Sequence, residues 1–407
     1  MSNLHEFIDQ DRRDRVPVVA ALGVTQILAW GSTFYLFGVL ANPIASDTGW
    51  SYDWVASGVS VGLLIAGMVS PRVGRAISKW GGRPILAVST VLLAAGLLLL
   101  GCSQSIAWYL TAWLLVGIGM GFGLTDAAFS TLGSIYGENA RGAITSLTLF
   151  AGFASTVCWP LSAYVIEHLG WRGACFIYAA MQIGVALPIL LLALPRRSFI
   201  APSVDNEGAR SQASLAPGQL PMFSLLAVVL TLSAAIFSML GIHLLPLLQA
   251  RGLELSAAVA LGVILGPAQV GARVVEMLAG RHYHPIWTMM ASTALVAAGT
   301  GLLFADFPAY SVAIVLYGAG NGIGSVARGT LPLAVFGSSR YPTLMGRLAL
   351  PILVSMALAP FLGAIAFQTG GANLTFGLLA FLGSANLLVV GLLCIFCRGG
   401  PTAAEIH

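Results

Sequence analysis

Long apolar stretches follow one another along almost the whole chain, at 16–40, 52–72, 84–104, 106–132, 143–168, 171–194, 221–248, 255–280, 285–304, 309–335, 344–368 and 374–397. Each supplies the roughly 20 residues that a helix needs to cross about 30 Å of hydrocarbon. Lipid offers no partners for backbone N–H and C=O groups, so a spanning segment has to satisfy them internally, as a continuous helix does. Only 8% of the 407 residues are charged and 57% are apolar, whereas a soluble domain carries about a quarter charged residues. The expected fold is therefore all-α and membrane-embedded, with twelve transmembrane helices.

The chain also repeats itself at half its length. Arg72-Val73 and Pro84 recur as Arg273-Val274 and Pro285, displaced by 201 positions, and the same displacement carries Gly121 and Gly123 onto Gly322 and Gly324. Two six-helix bundles in tandem, 1–195 and 221–407, account for this, with the Ser-, Ala-, Pro- and Gly-rich segment 196–220 as a cytoplasmic linker. Two such bundles can rock about a shared cavity, which points towards a transporter. Glycine stripes at Gly117, Gly119, Gly121 and Gly123, and again at Gly318, Gly320, Gly322 and Gly324, allow helices to pack closely in lipid.

Short cytoplasmic loops retain Lys and Arg. With the N-terminus inside, Arg12, Arg13, Arg15, Arg72, Arg75, Lys79, Arg83, Arg141, Arg196, Arg197, Arg210, Arg281, Arg340, Arg347 and Arg398 are cytoplasmic, while Arg172 and Arg251 lie outside. The expectation is a multi-pass inner-membrane protein with both termini in the cytosol and its first helix retained. The net charge of +4 follows from this topology and argues for no nucleic-acid partner. Of the five cysteines, Cys394 and Cys397 have redox or metal spacing, but no second pair or histidine stands near them, so small apolar fillers are expected.

Several motifs resemble a known family. Phe34-Tyr35-Leu36-Phe37-Gly38-Val39 followed by Gly49-Trp50-Ser51, and Gly170-Trp171-Arg172 before the sixth span, are similar to the monocarboxylate-porter and oxalate/formate-antiporter-like branch of the major facilitator superfamily. The superfamily's cytoplasmic signature Gly-x-x-x-Asp-Arg-x-Gly-Arg-Arg is similar to the run from Gly74 through Ser78, Lys79 and Gly82 to Arg83, with Ser78 in the acidic position. The resemblance implies that the latch carried by that acid is weaker or built differently here. It further implies an anion-binding role for Arg273, which matches the arginine of the branch's Asp-x-x-x-Arg element, while Gln269 stands in place of its acid.

Ionised side chains within spans are costly and tend to face a cavity or a partner. Asp126, Arg273, Glu276 and Arg328 are the ones to weigh. At about 1.5 Å per residue they share a depth, and Asp126 and Arg328 would project at nearly one level, as a charge pair that substrate or a proton rearranges. Arg273 is the expected anion anchor, with a helix pair to Glu276 as its structural alternative. Glu276 near a helix end is expected to be solvated or to form a latch. His243, between Gly241 and Pro246, is either a titrating group or a histidine at a kink. Gln26, Trp30, Thr33, Tyr35, Gln269 and Asn321 complete the candidate substrate wall, with Arg328.

The function expected is secondary active transport of a small organic anion, a monocarboxylate first, by alternating access with possible proton coupling, in a monomer. Efflux of a drug, metabolite or oxyanion such as an arsenical is the alternative within transport, and a non-transporting ligand sensor the alternative outside it. No catalytic residue, cofactor or metal site is expected. His282 and His284 stand alone, and the chain has no phosphate-binding Gly-x-x-x-x-Gly-Lys-Ser/Thr loop.

Overall fold

The computed structural model describes residues 2–196, 219–280 and 283–398. Almost all of the expected linker 196–220 lies outside the described residues, with Arg197, Arg210, Arg281 and His282, as do the side chains of Arg12, Arg13, Cys397 and Arg398. Among the described residues there is no strand. Helix α1 (Ser2–Trp30) runs through a π turn at Gly31–Tyr35 into α2 (Leu36–Thr48), followed by α3 (Tyr52–Trp80), α4 (Gly82–Gly101), α5 (Ile106–Gly123), α6 (Thr125–Tyr136) and α7 (Ala140–Gly152). Helix α8 (Ala154–Met181) passes through a second π turn at Gln182–Ala186 into α9 (Leu187–Ala193). After the linker come α10 (Leu220–Ala250), α11 (Leu255–Ala279), α12 (Pro285–Phe304), α13 (Tyr310–Phe336) and α14 (Tyr341–Arg398).

Eight helical stretches are long and apolar enough to cross a membrane. Two of them hold more than one pass, since Ile106–Ala193 runs for 88 residues and Tyr341–Phe396 for 56, far beyond a bilayer's thickness at about 1.5 Å per residue. The chain turns inside them at glycines with positive φ, Gly137 at 57°, Gly170 at 68° and Gly371 at 66°, a region that side chains with a Cβ rarely adopt. With these turns and the 27-residue α13, the described residues make the twelve passes expected. Gly170 and Gly371 stand at the same 201-residue displacement as the sequence repeat.

Backbone packing divides the chain into two compact units, Met1–Pro202 with Tyr341–Arg347, and Ser203–Arg340 with Leu348–His407. The short insertion into the first unit has a close-packed cause. A Cβ on Gly74 would fall 2.3 Å from the Pro342 carbonyl, and one on Gly133 would fall 2.3 Å from the Tyr341 ring.

Inside each unit the glycine stripes are contact surfaces. Gly117 and Gly121 lie against the Gly62 and Ala66 carbonyls of α3, while Gly119 and Gly123 lie against Leu93 and Ser89 of α4. Gly318 and Gly322 meet Leu265 and Gln269 of α11 in the same way, and Gly320 and Gly324 meet Ser292 of α12. One hydrogen bond is duplicated as well: Ser89 Oγ donates to the Gly119 carbonyl and Ser292 Oγ to the Gly320 carbonyl, both at 2.7 Å. Removing Cβ atoms lets backbones approach, which supplies dispersion and polar contacts where water cannot drive association.

A second duplicated device closes each unit from its first pass to its last. Gln182 Nε2 donates to Ser32 Oγ at 2.9 Å, and Asn386 Nδ2 donates to Ser233 Oγ at 2.8 Å. The two serines are again 201 residues apart. Neither amide was a sequence candidate.

Candidate functional site

The fourth span, expected as one helix over 106–132, is broken. Leu124 is extended (φ −74°, ψ −175°) and separates α5 from α6. An interrupted helix leaves carbonyls at one end and N–H groups at the other without intrahelical partners, and α1 serves this gap. Gln26 Nε2 donates to the Gly123 carbonyl at 2.6 Å, and Trp30 Nε1 donates to Thr125 Oγ1 at 2.9 Å. Gln26 and Trp30 are four residues apart, one turn of α1, so one helix face supplies both contacts. Asp126 sits in the first turn of α6 and is buried, 8% exposed. Gln26 is only 2% exposed, and its Oε1 has no hydrogen-bond partner.

The second unit assembles a different polar face. Gln269, Arg273 and Glu276 follow one stripe of α11, and Asn321, Ser325 and Arg328 follow one stripe of α13, by the same i, i+4, i+7 spacing. Arg273 joins the stripes. Its Nε donates to Ser325 Oγ at 3.0 Å and to the Gly322 carbonyl at 3.2 Å, and the residue is 7% exposed. Gln269, Asn321 and Arg328 are half-buried. Ser325 escaped the sequence reading because a lone serine in an apolar helix looks neutral; its place one turn from both Asn321 and Arg328 was the available signal.

Glu276 is neither solvated nor paired with Arg273. It accepts from Tyr283 Oη at 2.7 Å and from Thr288 Oγ1 at 2.8 Å, and it is buried against Gly280. A carboxylate near the end of α11 thus ties that helix to the start of α12. This is a charge made tolerable by hydrogen bonds.

Of the other candidates, Tyr35 stands beside Trp30 of the first cluster, ring centroids 6.3 Å apart, and the rest make different contacts. His243 Nε2 donates to the Pro360 carbonyl of α14 at 2.9 Å. Thr33 Oγ1 donates to its own helix at the Ala29 carbonyl, 2.6 Å away, and Tyr35 packs edge-on against Trp159 at 5.9 Å. In the cytoplasmic motif, Ser78 Oγ and Thr343 Oγ1 lie 3.2 Å apart, Lys79 Nζ stands 5.3 Å from the Trp80 ring, and Arg83 donates to the Leu191 carbonyl. Gly82 is needed for room, since a Cβ there would meet Thr131 Oγ1 at 2.0 Å.

The two arginines assigned to the outer side both hold acids. Arg172 and Trp171 Nε1 bind Asp47, which joins the Gly170-Trp171-Arg172 motif to the end of the first pass. Arg251 pairs with Asp306, and Tyr310 donates to the same carboxylate. Those two contacts, the Tyr310 hydroxyl first and the Arg251 guanidinium second, hold the Asp306 carboxyl below its ordinary range.

Comparison with known proteins agrees with this architecture. The family model described as Major Facilitator Superfamily matches residues 22–286. The chain is 28% identical to Monocarboxylate transporter 13 of Bos taurus over 364 residues, covering 86% of this chain and 82% of that one. It is 22% identical to Monocarboxylate transporter 4 of Mus musculus over 383 residues, covering 89% and 78%. Among solved structures, the human organic anion transporter MFSD10 (TETRAN) is similar at TM-score 0.71 and 16% identity, covering 92% of this chain and 99% of that chain. FucP in the outward conformation is similar at TM-score 0.72 and 12% identity, covering 93% and 99%. These relatives are transporters and not enzymes, and at such identities the solved structures speak to the fold alone. Twelve passes in two repeated halves, the shared motifs and the matched family model together make this chain a multi-pass membrane transporter of the Major Facilitator Superfamily, related to the monocarboxylate transporters.

Proposed function

We propose that the chain carries a small organic anion, a monocarboxylate first of all, across the inner membrane by alternating access, as a monomer with both termini in the cytosol. The observation that carries this reading is Arg273. A guanidinium buried in a membrane pass is costly and calls for compensation, and here Nε is fixed by α13 through Gly322 and Ser325. A planar guanidinium so oriented suits a carboxylate, which it can grip with two parallel hydrogen bonds. Asn321 and Arg328 stand on the same stripe of α13 as Ser325 and extend the polar face. The relatives named for monocarboxylate and organic-anion transport support the substrate class, and the weight of Lys and Arg on one side of the passes supports the orientation.

Asp126 is the coupling group in this reading. It is the buried acid of the first unit's passes among the described residues, and a proton taken up there with substrate offsets the charge of the anion.

Thermal unfolding of purified protein with small carboxylates and oxyanions tests the proposal. A carboxylate should stabilise the wild type, and Arg273→Lys should fold yet lose that stabilisation. Equal stabilisation of both proteins would remove Arg273 as the anchor. Stabilisation by an inorganic oxyanion alone would replace the carboxylate by that class.

A further inference from the structure

The third and the ninth pass are counterparts in the repeat, yet they start differently. His284 caps α12, its Nδ1 accepting from the Ile286 N–H at 3.2 Å. The position 201 earlier is Arg83, a side chain that has only donors to offer. Helix α4 accordingly begins without a side-chain cap. A helix start carries N–H groups without intrahelical partners and a partial positive charge, both of which call for an acceptor. Arg83 adds to that demand, since its Nη2 donates to the Leu191 carbonyl of α9 while its Nε is buried with no hydrogen-bond partner.

This corner forms a pocket between the start of α4 and the end of α9, lined by Trp80, Gly82, Arg83, Ile135, Leu194 and Arg196 among others. It lies wholly within the first unit, on the side of the passes where Lys and Arg collect. Arg196 is exposed. Among the described residues neither arginine is paired with a carboxylate, and no carboxylate lines the pocket. Trp80, one of its walls, is 61% exposed, as suits an aromatic ring at headgroup level.

We infer that the pocket binds the phosphate of an anionic phospholipid. Two guanidiniums and an uncapped helix start supply donors and positive charge for a phosphate, and basic pockets between membrane helices take lipid headgroups of this kind. A zwitterionic headgroup would need an acid for its cation, and the lining offers none. The neighbouring surface favours a lipid over free phosphate. Pro84 lines the pocket and is also the first exposed residue of α4, followed by Val88, Val91, Ala95 and Leu98. Alternating steps of four and three residues put all of them on one helix face, which carries no polar side chain. That face is about 21 Å long at about 1.5 Å per residue, enough to span the roughly 15 Å of one leaflet's hydrocarbon. An acyl chain lying along it brings its own phosphate to Arg83 and Arg196. The site does not depend on which solute the protein carries.

Thermal unfolding of the full-length protein, purified in a neutral detergent and held at fixed ionic strength, tests this. Dioleoylphosphatidylglycerol should raise Tm by about 3 °C in a saturating manner, and dioleoylphosphatidylcholine should not. Arg83→Gln and, separately, Arg196→Gln should each lose most of that rise. Arg196 is exposed, so its variant remains informative if Arg83→Gln fails to fold. Arg75→Gln removes an exposed cation of α3 outside the pocket and should keep the rise. An equal loss in Arg75→Gln assigns the effect to diffuse charge attraction and overturns the site. So does equal stabilisation by the two lipids, or a rise that survives Arg196→Gln. A full rise with inorganic phosphate alone gives the pocket to a free anion and overturns the lipid assignment.

Discussion

Pro360 lies in the middle of α14 and brings no N–H. The carbonyl one turn earlier, at Met356, therefore has no helical donor, and Met356 is buried. Ser238 of α10 supplies what is missing: its Oγ donates to the Met356 carbonyl at 2.7 Å. Ser238→Ala strands that carbonyl in a dry interior. Stranding a buried polar group costs about 1–3 kcal/mol in general, and side-chain hydrogen bonds between membrane helices average about 0.6 kcal/mol with a maximum of about 1.7. The expected cost is thus about 1 to 1.5 kcal/mol. The sharper expectation concerns the background. In Pro360→Ala the residue at 360 regains an N–H and the helix can satisfy Met356 itself, so removal of the Ser238 hydroxyl should then cost only a few tenths of a kcal/mol. A double-mutant cycle read by reversible unfolding should give a coupling near 1 kcal/mol between these positions. A cost for Ser238→Ala that is the same with Pro360 and with Ala at that position would refute the reasoning.

Other consequences can be checked singly. Gly322→Ala places a Cβ 2.4 Å from the Gln269 carbonyl, so α11 and α13 must separate; a loss of about 1–3 kcal/mol in unfolding free energy is expected, together with weakened anion-induced stabilisation, because the Gly322 carbonyl orients Arg273. Ser32→Ala and Ser233→Ala remove acceptors from Gln182 and Asn386; Gln182 Nε2 keeps the Leu28 carbonyl at 3.4 Å, so Ser233→Ala should cost the more, about 0.6 kcal/mol, and an equal loss from Ser32→Ala would show that the Leu28 contact compensates nothing. The Asp306 carboxyl is held below its ordinary range by Tyr310 and Arg251, so its contribution is complete above the unfolded value of about 3.9 and is lost as pH falls through the lower, folded value. Asp306→Asn should therefore flatten the acid limb of a stability profile below about pH 4 and leave the profile's shape above pH 6 unchanged.

Some of this was legible in residues and some was not. The passes could be read because lipid thickness fixes a length and Gly170 and Gly371 repeat at the displacement that Arg72 and Arg273 already mark. The glycine stripes could be read because a missing Cβ has one main use between membrane helices. The break at Leu124 could not be read from hydropathy, as leucine interrupts no apolar run. Its signal was chemical: Thr125-Asp126 is a helix-start pair placed where a helix was supposed to be continuing. The partners of Glu276 could not be read, because Tyr283 lies past the end of α11 and Thr288 on the next helix, and no periodicity within α11 places them. Gln182 and Asn386 were missed because a single amide in an apolar span has no pattern until its serine partner is located.

Where a duplicated chain keeps its two copies alike, the likeness reports packing; where they part, packing no longer explains the residue. Ser89 and Ser292 do the same thing in both units, and so do Ser32 and Ser233. Arg273 has no counterpart of its kind, since the position 201 earlier is Arg72, whose side chain is exposed and whose Nη1 donates to the Met68 carbonyl of its own helix. The break beside Asp126 has none either. A membrane protein under selection for stability alone would replace a buried guanidinium, and an amide whose oxygen lacks a partner, by apolar side chains, because ionised and unsatisfied groups are costly there. Their presence at the points of divergence is the physical reason to test these two clusters first for the proposed transport, ahead of the histidine at Pro360 and the carboxylate tied down by Tyr283 and Thr288.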